Sequence, residues 1–391
     1  MKKLLKFISL AAVAVLVFTA CEGPMGPTGP IGEKGPEGPR GEKGDDALCS
    51  VCHYSANVQK ITHDYDYFSA HGTGDAYTHG NRTACAPCHT NAGFLYMRGE
   101  SPNAAYAVKA EPITCKACHA DYHKDGYEWG PTTLTTVAEV PMVMYGGTKT
   151  INFTGNAASS NLCATCHQPR AVNKTGGGVI NYDLLASNPN DTYNQSVIEY
   201  RFGIHYSPEG ALYAGVGGIQ FGDWSEHRHS SHVRNNSVSC ATCHLAMTDE
   251  DDGPEGHTFA ATTKACNIAC HHHDGEDLDA RIALLGVEID GLIGQLADKL
   301  NAIGSGHDIL KKEDDGKYHG YLNIYSVSEN NLNGYFMNPS EGNVPFPTLT
   351  NAQVGALINF QLIVRGASGK AGAAHNYPYV KRLIENSIAA I

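Results

Sequence analysis

Six times in this 391-residue chain two cysteines are followed at once by a histidine, and these pairs take twelve of its thirteen cysteines. Five copies read Cys-x-x-Cys-His: Cys49 and Cys52 with His53, Cys85 and Cys88 with His89, Cys115 and Cys118 with His119, Cys163 and Cys166 with His167, Cys240 and Cys243 with His244. The sixth, Cys266 and Cys270 with His271, carries one more residue between its cysteines. Such a phrase obliges a short turn to present two sulfurs and an imidazole to one group, and it is the attachment signature of c-type haem. Each thiol forms a thioether with a vinyl group, and the adjacent histidine becomes the proximal iron ligand. Chance supplies on the order of 0.02 copies in a chain of this composition. Zinc would take the cysteines as thiolates in sets of four, with no call for a histidine after every pair, and disulfides would need none either. Six covalently bound haem c groups are therefore expected, the longer sixth phrase bulging so that both thiols still reach.

The ends of the chain bear on location. Residues 1–20 have a basic start (Lys2, Lys3, Lys6) and an apolar stretch from Phe7 to Ala20, too short to span a bilayer comfortably and suited to a signal peptide. Small residues before Cys21, the one cysteine outside the six phrases, resemble a lipoprotein processing site; an ordinary cleaved signal with a spare thiol is the plainer alternative. Glycine then recurs at 23, 26, 29, 32, 35, 38, 41 and 44. This Gly-X-Y pattern makes residues 21–46 a collagen-like stalk, which extended would reach roughly 75 Å. A trimer through that stalk is possible; a polar spacer that never winds is the alternative.

The formal charge is −12, and loss of Lys2, Lys3 and Lys6 with the leader takes it to −15. Haem propionates would add about twelve acidic groups. Nucleic acid is disfavoured as a partner. Redox partner proteins of the envelope, or a cationic extracellular acceptor, suit the charge better. Membrane attachment is expected through the N-terminal lipid, at the bacterial outer membrane on its periplasmic or cell-surface face.

From 47 to 274, the hexahaem-binding region, the first cysteines of successive phrases stand 36, 30, 48, 77 and 26 residues apart. Short helical turns and loops are expected there, with hairpins in Val137–Thr154 and Gly203–Gly222. Residues 275–391 change character. Leu278, Ile282, Leu285, Ile289, Leu292, Leu296 and Leu300 step by three and four, which predicts a helix starting near Asp274 or Asp277 and ending near Gly304. Gly286, Gly291 and Gly294 would let another helix or a haem face approach. A second helix is predicted over Asn351–Val364 behind Thr350, and a third from Asn376 with Pro378 in its first turn. The fold class expected is mainly α with much irregular loop, the haems forming the core and long C-terminal helices packing on it.

What occupies the second axial position of each iron decides between carrier and enzyme. Fourteen of the twenty histidines lie outside the six phrases. Several local phrases resemble the exported multihaem c-type cytochromes of anaerobic respiration: Ser69-Ala70-His71-Gly72, Gly80-Asn81-Arg82, His167-Gln168-Pro169-Arg170, His205-Tyr206-Ser207-Pro208, Ser230-Ser231-His232, Gly256-His257-Thr258-Phe259 and Ala374-His375-Asn376-Tyr377-Pro378. The resemblance covers most of 47–391. It implies distal ligand roles for His71, His205, His232, His257 and His375. His123, four residues past His119, makes a sixth. Among the remaining histidines, His79 and His229 are the substitutes.

Six irons closed by histidine on both faces would make an electron carrier with no open site for substrate. One rival is a reductase of a small substrate such as nitrite or hydroxylamine, or of a metal. The terminal helices resemble those of ammonia-forming nitrite reductases and hydroxylamine oxidoreductases, and Arg201, His205 and Tyr206 could be offered as a catalytic cluster. The lysine that replaces the motif histidine in such nitrite reductases is missing from all six phrases, and no catalytic residue is assigned. A third possibility is a subunit of a cytochrome filament.

Overall fold

The stepped apolar residues after Asp277 wind into a 25-residue helix, Leu278–Ala302, in the computed structural model of the chain, which describes residues 56–100, 111–119, 134–170, 180–195, 197–234, 236–247, 256–271, 277–328, 331–337 and 343–391. The Asp277 carboxylate accepts from the Ala280 amide at 3.0 Å and caps it. Leu278, Ile289, Ile293, Leu296 and Leu300 are buried along one stripe, while Leu284 and Val287 face solvent. Of its three glycines only Gly286 makes a close approach. A Cβ there would stand 2.9 Å from the Gly369 backbone carbon, whereas Gly291 and Gly294 face open space.

The second predicted helix runs Asn351–Gly366. Thr350 Oγ1 accepts from Gln353 N, and Gln353 Oε1 accepts from Thr350 N, a reciprocal capping box. Leu357, Ile358, Phe360, Leu362 and Ile363 are at most 1 % exposed. Two buried amides tie loops to this helix. Asn359 pairs with both Ile219 backbone groups, and Gln361 donates to the Phe202 and Gly320 carbonyls.

The third helix departs from expectation. It begins at Lys370, runs to Ala390, and is broken at Asn376, whose φ of −161° and ψ of 66° are not helical. Asn376 and Pro378, read as start signals, mark an internal kink: proline offers no N–H to the carbonyl four residues back.

Strands are few. An antiparallel pair, Val140–Pro141 with Thr150–Ile151, fills the first expected hairpin region. Gly203–Gly222 instead carries a short helix, Glu209–Ala214. Two further antiparallel pairs, Leu310–Lys312 with Tyr318–Leu322 and Ile324–Ser328 with Asn331–Phe336, lie in the C-terminal region where only helices were expected. The fold is mainly α with much irregular loop. No helix among the described residues is long and apolar enough to cross a membrane.

The chain divides into two compact units, one of residues 1–129 and 244–265, the other of 130–243 and 266–391. The second holds one large apolar core that includes Phe202, Leu212, Leu296, Phe360, Tyr379 and Leu383.

Candidate haem centres

Every described copy of the six phrases forms a short turn that stacks the histidine over the first cysteine. His89 N bonds Cys85 O at 3.2 Å, His119 N bonds Cys115 O at 2.8 Å, and His167 N bonds Cys163 O at 2.9 Å. Cys240–His244 is one helical turn. In an α-turn residues i and i+4 share a face, the separation of first cysteine and histidine in Cys-x-x-Cys-His. The sixth phrase separates them by five, and there the chain adopts a π-turn over Asn267–His271. A π-turn closes i to i+5, so the extra residue is absorbed inside the turn and His271 keeps its place relative to Cys266.

Three motif histidines each face a second histidine. Ring centres stand 6.0 Å apart for His79 and His89, 6.5 Å for His119 and His257, and 6.2 Å for His232 and His271. An imidazole nitrogen binds a metal ion at about 2.0 Å, so two imidazoles on opposite faces of one iron have centres about 6 Å apart. Two of these partners, His232 and His257, are distal ligands implied by the resemblance. The third is His79, one of the substitutes. Its short 3₁₀ turn, Ala76–Gly80, packs against the residue after His89: a Cβ on Gly80 would meet Thr90 Cγ2 at 2.1 Å.

Hydrogen bonds at the other ring nitrogen set the tautomer. His89 Nδ1 donates to Ala76 O at 2.8 Å and His244 Nδ1 to Phe259 O at 2.8 Å. His167 Nδ1 pairs with Glu209 Oε2 at 3.1 Å, and His205 Nδ1 donates to Tyr206 O at 3.1 Å. These partners accept only, so Nδ1 carries the proton and the lone pair sits on Nε2. Burial, joined by the motif histidine opposite, lowers the pKa of both His232 and His257 below the ordinary histidine value. Both are thereby held neutral, the form that ligates.

Two of the thiols, Cys118 and Cys243, are shifted away from thiolate chemistry. Burial, then the neighbouring Cys115, pushes Cys118 up to about 11. Burial, then Cys266, Cys240 and Cys270, does the same to Cys243. Thiolates that bind metals or exchange disulfides need the opposite shift. Among the described residues no group of three or more His, Cys, Asp and Glu side chains gathers as a metal site. Structural zinc takes four protein ligands, whereas a haem iron takes two.

Phe259 is a residue that sequence reasoning passed over. It sits at φ 61°, a conformation uncommon for a bulky side chain. Its carbonyl holds His244, and its ring lies edge-on to His71 at 4.8 Å between centres. Its only signal was its place two residues after His257. His375 lies 6.5 Å from the Tyr213 ring. Cys21, Cys49, Cys52, His53 and His123 lie outside the described residues. Cys85 is disulfide-bonded, and the other described cysteines are not in disulfides; a thioether at Cys85 requires that disulfide to be open.

No family model, curated protein or solved structure matches this chain.

Other histidines have local structural partners. His319 pairs with Asp315 at 2.9 Å and His307 stacks on Phe336 at 5.0 Å. In the cluster offered for catalysis, the Tyr206 hydroxyl donates to His319 O at 3.3 Å and its ring lies under the Arg365 guanidinium at 4.5 Å.

Proposed function

We propose that this chain is a hexahaem c-type cytochrome that carries electrons through bis-histidine haems at the cell envelope or surface, tethered by a lipid on Cys21 and a collagen-like stalk. The observation that carries the reading is the set of three facing histidine pairs, each joining the histidine of an attachment phrase to a histidine outside that phrase. The residues fit haem in spacing and, at His89, His167 and His244, in tautomer. Cys88, Cys115, Cys118, Cys163, Cys166, Cys240, Cys243, Cys266 and Cys270, with Cys85 once reduced and with Cys49 and Cys52, would hold it covalently. Haem when bound supplies a one-electron couple whose potential answers to its axial ligands and surroundings.

The protein's part is to close and orient. His79 with His89, His119 with His257, and His232 with His271 would occupy both axial positions, so substrate finds no place at those three irons. The Ala76 and Phe259 carbonyls and the Glu209 carboxylate hold the proton on Nδ1 and keep Nε2 as donor atom. The buried hydrophobic core of the larger unit keeps its ligand-bearing segments in place.

Mass spectrometry and electron paramagnetic resonance of the purified protein test the reading. Six covalent haems per chain and only low-spin bis-histidine signals are expected. A high-spin iron that shifts with nitrite or hydroxylamine would overturn the carrier reading in favour of a reductase. A disulfide retained at Cys85 would remove the second phrase from the set. Membrane retention of a Cys21→Ser variant would defeat the lipid anchor, and electron micrographs showing end-to-end polymers would replace a tethered carrier by a filament subunit.

A further inference from the structure

The break in the terminal helix at Asn376 is not a packing defect. Asn376 is fully buried, and its amide is bonded on every side. Oδ1 accepts from Ser230 N at 3.0 Å, while Nδ2 donates to Tyr213 O at 3.1 Å and meets His229 Nδ1 at 3.1 Å. The backbone donor at Ser230 and the backbone acceptor at Tyr213 leave the amide one orientation, so His229 Nδ1 must accept. The His229 proton then sits on Nε2, the reverse of the tautomer at His89, His205 and His244. His229 is thereby separated from the iron ligands.

The segment pinned at Ser230 continues directly into His232, which faces His271. The same asparagine follows His375, for which the resemblance implies a ligand role. The Tyr213 hydroxyl extends the network, donating to His232 O at 3.3 Å and Val238 O at 2.8 Å. The Ala374 backbone lies within hydrogen-bonding reach of the His232 ring, and Pro378 provides no N–H to compete for that carbonyl. Residues 374, 376 and 378 thus each serve the placement of histidines rather than the continuity of a helix.

We propose that Asn376 is a positioning residue that mounts His232 and His375 together, so that one buried amide sets the axial ligation of two different haems. The inference rests on the bis-histidine reading. Ordinary low-spin spectra of the wild-type protein test that reading, and the variants test the mount.

Asn376→Ala keeps every attachment thiol, so six haems per chain are expected by mass. One or two of the six low-spin signals should move in g-value or give way to high-spin iron. Asn376→Asp retains the acceptor for Ser230 but turns a second acceptor oxygen on the Tyr213 carbonyl and His229 Nδ1 in a fully buried site, so its spectral change should be at least as large. His229→Ala should leave all signals low-spin. A lowered melting temperature in Asn376→Ala with an unchanged set of signals would overturn the proposal and leave a purely structural tie. A high-spin iron in His229→Ala would overturn the tautomer assignment.

Discussion

In the unit formed by residues 130–243 and 266–391, Phe202, Leu296, Phe360 and Tyr379 are at most 1 % exposed in one continuous apolar cluster. In the other unit, Phe94 and Leu95 are the only large apolar side chains buried among the described residues, alongside small ones such as Ala86 and Ala117. Yet this poorer unit carries two of the described attachment phrases and the histidine pairs 79/89 and 119/257. A chain segment that buries so little apolar surface cannot offset its conformational entropy by side-chain packing alone. One unit folds on its side chains, while the other, on the proposed reading, would draw on the haem groups that its cysteines would attach.

The sharpest way to break this contrast is to make the protein without haem attachment. Limited proteolysis should then cleave residues 56–119 at once and spare 278–391. Equal sensitivity of both would abolish the distinction. The next largest effect belongs to the side-chain core. Phe360→Ala should cost about 3–5 kcal/mol, read as a fall in melting temperature of the larger unit with six haems still attached. Loss of haem from that variant would mean that the core and the haem sites cannot be treated apart.

A third test addresses the smaller unit. His79→Ala should convert one of six irons to high-spin without loss of haem, read by electron paramagnetic resonance. An entirely low-spin spectrum would hand the place opposite His89 to another histidine, such as His71. The smallest effect is expected at Glu209. On the proposed reading its carboxylate on His167 Nδ1 would strengthen the imidazole as an iron donor and favour the ferric state. Glu209→Gln should therefore raise the potential of one haem in a spectroelectrochemical titration and leave the other five in place. The group is partly solvated, which keeps the shift modest.

Local features were legible where their physics is local. Thr350 and Gln353 form the capping box that a cap before an apolar run suggests, and Asp277 caps its helix. The five described turns follow from spacing alone, down to the one at Cys266, whose extra residue the π-turn absorbs. The third helix start was misplaced because Asn376 and Pro378 serve a long-range amide network. The hairpins over 310–336 were missed because the segment lacks a clean alternation and pairs with register shifts. His79 was ranked behind His71 because no phrase of its own distinguishes it. The packing of Gly80 on Thr90 and the bond from His89 Nδ1 to the Ala76 carbonyl set its turn against His89.

What the sequence determined by itself is where two thiols and an imidazole meet, since within six residues they are placed by one turn of backbone; that is where the proposed covalent chemistry would lie. Which histidine faces which was decided only by tertiary structure. His119 and His257 stand more than a hundred residues apart, and no periodicity or spacing operates over such a distance. Their approach depends on how the loops close, and the role of a group such as Asn376 in the other unit is likewise visible only once its partners Ser230, Tyr213 and His229 surround it.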